Sequence, residues 1–150
     1  MVCRFGVMFY PDKVRGYREA RRVLKPGGRF LFNVWDKISE NHFAHSVHDA
    51  LRALFGADAP DFMARTPHGY HDIVKIEEEL RAAGFASVSA EILEGVSRAS
   101  APRDVATAFC QGTPMRNDIE ARYPGRLEEA TQFAAKRSRR DLVMVRSKDE

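Results

Sequence analysis

Apolar positions along the chain change period repeatedly, and each change marks an element. Met1 to Phe9 is almost wholly apolar, broken by Arg4 and Gly6, which predicts a short buried strand running into a turn at Tyr10-Pro11-Asp12. Asp12 is a suitable N-cap, because its carboxylate can accept from the free N–H groups of a first helical turn. Val14, Tyr17, Arg21 and Leu24 then recur at helical spacing, with Ala20 and Val23 widening the apolar stripe. Lys25-Pro26-Gly27-Gly28 ends that helix, since proline cannot continue it and glycine tolerates positive φ. In Arg29–Trp35 the apolar residues fall on both faces, as in a central strand covered on two sides. Strand, helix, tight turn and strand together predict a βαβ unit with parallel strands and a right-handed crossover.

Helical spacing returns at Phe43, Val47, Ala50, Leu51 and Leu54, with Asn41 as a candidate cap. A loop containing Pro60, Pro67 and Gly69 leads to a second N-cap candidate, Asp72. It precedes a stripe of Ile73, Ile76, Leu80 and Ala83, and Gly84 stands at the C′ position. Val88, Ala90 and Ile92 alternate with Ser87, Ser89 and Glu91, the period of a half-exposed strand. Beyond Pro102 the pattern predicts helices around 104–111, 117–122 and 127–136, and 141–147 has the make-up of a last short strand. No internal repeat is present, and the fold class is α/β in one domain spanning 1–150.

Composition narrows the class without assigning a function. The chain is 44% hydrophobic and 30% charged, as in ordinary globular domains. No apolar run approaches a membrane span, and the N-terminus lacks the pattern of a signal peptide. With only Cys3 and Cys110 there is no disulfide framework, so the default expectation is a cytoplasmic domain. The net charge of +3 is local: residues 1–135 hold 18 basic and 18 acidic side chains, and the last fifteen hold 6 and 3. A neutral body with a basic end argues against nucleic acid as a partner.

All five histidines lie between positions 42 and 71. At about 100° per residue, His42, His45 and His48 spread over about 120° of helix surface, too wide for one metal ion, so they read as polar residues on a helix rim. The loop from Arg65 to Asp72, "RTPHGYHD", gathers two histidines and a tyrosine around a glycine. Two readings stand for it: a ligand-facing loop, or Tyr70 packed beneath the helix that starts at Asp72. The Gly27-Gly28 turn follows a helix and precedes a strand, the reverse of a nucleotide-binding loop. Cys3 and Cys110 fall in elements as core residues, and Lys13, Arg15, Arg18, Arg21, Arg22 and Lys25 form a basic helix face of the solvated kind.

Residues 2–36, "VCRFGVMFYPD…YREARRVLKPGGRFLFNVWD", strongly resemble class I S-adenosylmethionine-dependent methyltransferases, in particular the type 11 or ubiquinone-biosynthesis-like group. Leu24-Lys25-Pro26-Gly27-Gly28 and Arg29–Trp35 match the turn and fifth strand of that family. The resemblance continues more weakly through "RTPHGYHD" and "LRAAGF". It implies a partial Rossmann-like sheet, with strands like the family's fourth to sixth or seventh. The acidic-x-Gly-x-Gly-x-Gly loop and the ribose-binding acidic residue of the family are not in this sequence. The chain thus resembles the C-terminal part of such an enzyme.

By the resemblance, Phe5, Gly6 and Met8 lie near S-adenosylmethionine, and Trp35, His68 and Tyr70 line the pocket for a small-molecule methyl acceptor, with His68 as proton acceptor. It also implies weak or absent cofactor binding by this chain alone. Without a first strand, Val2–Phe5 is an apolar edge that invites pairing with a second copy. A non-catalytic dimerisation module on the same scaffold is the alternative.

Overall fold

The computed structural model describes residues 1–146, with side chains as far as Ser138. The described chain is mostly helical, with a small two-stranded parallel sheet. Its elements are β1 (Val2–Arg4), α1 (Lys13–Arg22), β2 (Leu31–Asn33), α2 (His42–Phe55), α3 (Phe62–Arg65), α4 (Ile73–Ala82), α5 (Pro102–Cys110), α6 (Met115–Arg122) and α7 (Leu127–Arg146). They fall into two compact units: Met1–Lys37 with Thr66–Glu94, and Ile38–Arg65 with the chain from Gly95 on.

The first unit is built on the β1–α1–β2 motif. The strands are parallel, with Val2 opposite Leu31, Cys3 opposite Phe32 and Arg4 opposite Asn33. α1 starts where expected, with the Arg15 N–H donating to the Asp12 carboxylate at 2.9 Å, and the chain turns back through Gly27 at φ +74°. α1 and α4 lie over one face of the sheet, and between them a cluster forms from Val7, Met8, Tyr17, Tyr70, Ile76, Leu80 and Ala83. The rings of Phe30 and Phe32 reach this cluster from β2 and pack on Tyr17, 6.2 and 5.5 Å between centroids.

Three expectations are corrected here. Residues 29–35 are not covered on both faces: Phe30, Phe32 and Val34 turn inward while Arg29, Leu31, Asn33 and Trp35 turn outward, so helices shield one side only. The apolar run of Met1–Phe9 is not one strand, since β1 ends at Arg4 and Val7–Phe9 form a turn of 3-10 helix that buries Val7 and Met8. No strand forms at Val88–Ile92, and Ile92 stays 70% exposed. Alternation alone does not make a strand where no ladder partner is available to take the backbone groups.

α4 begins at Asp72, whose carboxylate accepts from the N–H groups of Val74 and Lys75 at 3.0 and 3.3 Å. Asp72→Ala is expected to lower the stability of the chain by about 1 kcal/mol, measured by urea denaturation, because it orphans both donors. An unchanged midpoint would show that the cap is dispensable.

The second unit packs α2, α5 and α7 around Val47, Leu51, Val105, Ala106, Cys110, Ala130 and Ala134, with Met115 and Ile119 added from α6. Pro102 opens α5, and the Asp104 carboxylate accepts from the Ala101 N–H at 3.0 Å. The late helices match their expected positions, but α7 continues to Arg146, so 141–146 are helical rather than a strand; Ser147 lies outside the described residues.

Candidate functional site

Both strands of the first unit end at the same edge of the sheet because they are parallel. β1 gives way to Phe5 and β2 to Trp35, and the two rings stack with centroids 4.2 Å apart and planes 15° from parallel. Phe5 holds a left-handed backbone, φ +50°, a conformation that is costly for a side chain of this bulk. Its N–H donates to the Asn33 carbonyl at 3.2 Å and lies 3.3 Å from Asn33 Oδ1. These bonds and the stack hold the strained residue in place. Trp35 remains 42% exposed, so an aromatic surface faces outward at the C-terminal edge of the strands.

His68 completes this edge. The turn of residues 66–69 carries it in, and it is 4% exposed with its ring centroid 6.1 Å from that of Trp35. Its Nδ1 lies 2.8 Å from the carbonyl oxygen of Asp36, the residue that follows Trp35. A carbonyl only accepts, so Nδ1 carries the proton and the neutral ring presents a lone pair at Nε2. Burial pushes the His68 pKa below its ordinary value, against an opposing pull from the Asp36 carbonyl, and nearby His71 adds to the lowering. The imidazole is therefore neutral at pH 7, in the state and tautomer of a base. His71 Nδ1 in turn donates to the His68 carbonyl at 2.8 Å, fixing the turn from the other side.

Tyr70 points the other way. Its ring is buried in the core of the unit, and its hydroxyl donates to Glu79 Oε2 on α4. With that proton committed, the Tyr17 hydroxyl, 2.9 Å away and fully buried, must donate to Tyr70. The chain Tyr17–Tyr70–Glu79 ties α1, the His68 loop and α4 together. Lys13 caps it, with Nζ 4.9 Å above the Tyr70 ring and bonded to the carbonyls of Met8 at 3.1 Å and Tyr10 at 2.5 Å. Burial raises the pKa of Tyr17 to about 12 and lifts that of Tyr70 as well, so both phenols stay protonated.

The structure thus brings Phe5, Trp35 and His68 together, and places Tyr70, Gly6 and Met8 behind them. Met8 is 3% exposed, with its side chain in the core. A Cβ on Gly6 would stand 2.6 Å from Cys3 Sγ, so this glycine serves close approach within the chain. Sequence reasoning missed Asp36, Tyr17 and Glu79 as supports. Asp36 acts through its backbone, which no side-chain pattern signals, whereas Tyr17 stood in the α1 stripe. No family model, curated protein or solved structure matches the chain.

Proposed function

We propose that the Phe5–Trp35–His68 edge is the acceptor-binding face of a methyltransferase, and that it takes a planar, hydroxyl-bearing small molecule. The observation that carries this reading is the state of His68: neutral, with Nδ1–H held by the Asp36 carbonyl, beside an exposed aromatic surface. A planar acceptor lies against Trp35, and Nε2 takes the proton from its O–H, leaving an oxygen nucleophile and an imidazolium that later loses its proton to water. The sheet edge is also where open α/β sheets bind ligands. The resemblance of residues 2–36 supplies the reaction class.

The cofactor side is different. Holding S-adenosylmethionine takes donors and acceptors for its ribose hydroxyls and amino-acid end. Gly6 abuts Cys3, Met8 is buried in the core, and the sequence contains no Gly-x-Gly stretch. The residues present do not fit the cofactor by themselves.

Trp35 is the single tryptophan, so its fluorescence reports directly on this edge. Titration with a planar phenol is expected to quench it saturably, whereas calorimetric titration with S-adenosylmethionine gives no micromolar binding. Phenol quenching that rises linearly without saturation would sink the acceptor-face reading.

A second reading is favoured by one observation. Among the described residues β1 pairs with β2 alone, and Val2 and Leu31 are 66% and 58% exposed. Such strands are templates for another chain, as a dimerisation module requires. Sedimentation velocity at micromolar concentration separates the two: a monomer that binds the phenol supports the first reading, and a dimer that does not supports the second.

A further inference from the structure

Two stretches of the first unit have the make-up of paired strands and no partner on one side. The Leu31 N–H donates to the Met1 carbonyl at 2.9 Å, and the Phe5 N–H to the Asn33 carbonyl at 3.2 Å. This parallel register turns the backbone groups of Met1, Cys3 and Phe5 toward β2 and those of Val2 and Arg4 away from it. The free edge of β1 therefore presents the N–H and C=O groups of Val2 and Arg4. Their side chains lie on the exposed face of the sheet, and Cys3 lies on the face toward the core.

The second stretch is residues 87–93. Val88, Ala90 and Ile92 alternate with Ser87, Ser89 and Glu91, and Leu93 follows, 80% exposed. Among the described residues, no hydrogen bond engages residues 86–94, through backbone or side chain. Within one copy the segment joins no sheet. An open strand edge and an unpaired segment of strand pattern are the two halves of a strand-addition joint.

We propose that residues 87–93 of a second copy of this chain add antiparallel to the free edge of β1, and that two copies exchange these segments reciprocally. The side chains set the register: Leu93 opposite Val2, Ile92 opposite Cys3 and Glu91 opposite Arg4. Arg4 and Glu91 are exposed charges of opposite sign, and neither has an ion-pair or hydrogen-bond partner among the described residues. Val2 and Leu93 are exposed apolar residues that cover each other in this register. Ile92, Ala90 and Val88 then turn toward the core side with Cys3, while Ser89 and Ser87 turn to solvent. Parallel pairing of Arg4 with Glu94 would send the same three apolar residues to solvent, so the alternation selects the antiparallel form. The occupant is a second copy because one chain carries both the edge and the segment that fits it. Reciprocal exchange forms two ladders and closes the pair. The proposal rests on the dimerisation reading above and gives it a contact.

Sedimentation velocity of the full chain, from low to high micromolar concentration, is expected to show a monomer–dimer equilibrium. Arg4, Glu91 and Leu93 are exposed and their side chains bond to nothing among the described residues, so variants there should keep the parent's circular dichroism. Arg4→Glu and Glu91→Arg should each weaken the dimer about tenfold, and the double variant should restore it. Leu93→Pro should abolish the dimer, because it removes a ladder donor together with the contact on Val2. A double variant no tighter than the singles would overturn the register. A dimer indifferent to all of these changes would overturn strand exchange and leave dimerisation standing, whereas a monomer at every concentration would overturn both.

Discussion

Tyr70→Phe destabilises the chain by about 1–3 kcal/mol, and Tyr17→Phe by about 1 kcal/mol or less, although Tyr17 is the more deeply buried of the two. The asymmetry follows from the direction of the hydrogen bonds. Tyr70 donates to Glu79 and accepts from Tyr17. Removing its hydroxyl leaves a buried Tyr17 O–H with no acceptor and a carboxylate oxygen without its donor. Removing the Tyr17 hydroxyl costs Tyr70 only an acceptor bond and leaves its bond to Glu79 intact. The packing of the Tyr17 ring on Phe30 and Phe32 survives in both variants.

The double variant sharpens the prediction. Adding Tyr17→Phe to Tyr70→Phe removes the orphaned donor, so the pair should be no less stable than Tyr70→Phe alone. Replacing both partners of a buried hydrogen bond by apolar groups is close to neutral, whereas breaking it from one side is not. Urea midpoints at unchanged slope measure all three. Tyr17→Phe costing as much as Tyr70→Phe would refute the assigned direction of the chain.

The local punctuation of the fold was legible in the sequence. Asp12, Asp72 and the Lys25–Gly28 turn act through groups within three or four residues of themselves, and each does what its residue type predicts. Strand extent was not legible, because it depends on partners. Val88, Ala90 and Ile92 alternate as strand residues do, yet no neighbouring strand among the described residues takes their backbone groups. Likewise Leu31 suits a covered strand by composition, but helices reach only the face that Phe30 and Phe32 occupy.

The candidate site was legible in part for the same reason. Trp35 and His68 follow from the family resemblance, and His68 also from the composition of its loop. Tyr70 left two orientations open, and the choice between them rests on Tyr17 and Glu79, which are 53 and 9 residues away. What fixes the proton of His68 on Nδ1 is the carbonyl of Asp36, and every residue carries a carbonyl, so nothing in the residue types could point to it.

His68→Gln is expected to have the largest functional effect: a loss of about 100-fold to 10,000-fold in the rate of methyl transfer to a phenol, measured at millimolar S-adenosylmethionine to offset the weak binding of the cofactor by this chain. Glutamine retains an N–H for the Asp36 carbonyl and a similar volume, but its amide cannot accept the acceptor's proton. Above its lowered pKa, the native histidine is neutral and the rate is flat; on acidification the ring protonates and the rate falls. The variant should lose this acid limb along with the activity. Stability carries the same signature. An unfolded histidine titrates near about 6.5, and burial sets the folded value lower, so the unfolded chain binds protons first. The stabilising contribution of neutral His68 is therefore complete above pH 6.5 and is lost as the pH falls through 6.5 toward the folded pKa. In His68→Gln that loss should be shallower, with the remainder contributed by His48, whose pKa burial also lowers. A variant with native stability at pH 7, a flattened acid slope and an undiminished rate would leave His68 a buried structural histidine and remove it from the chemistry.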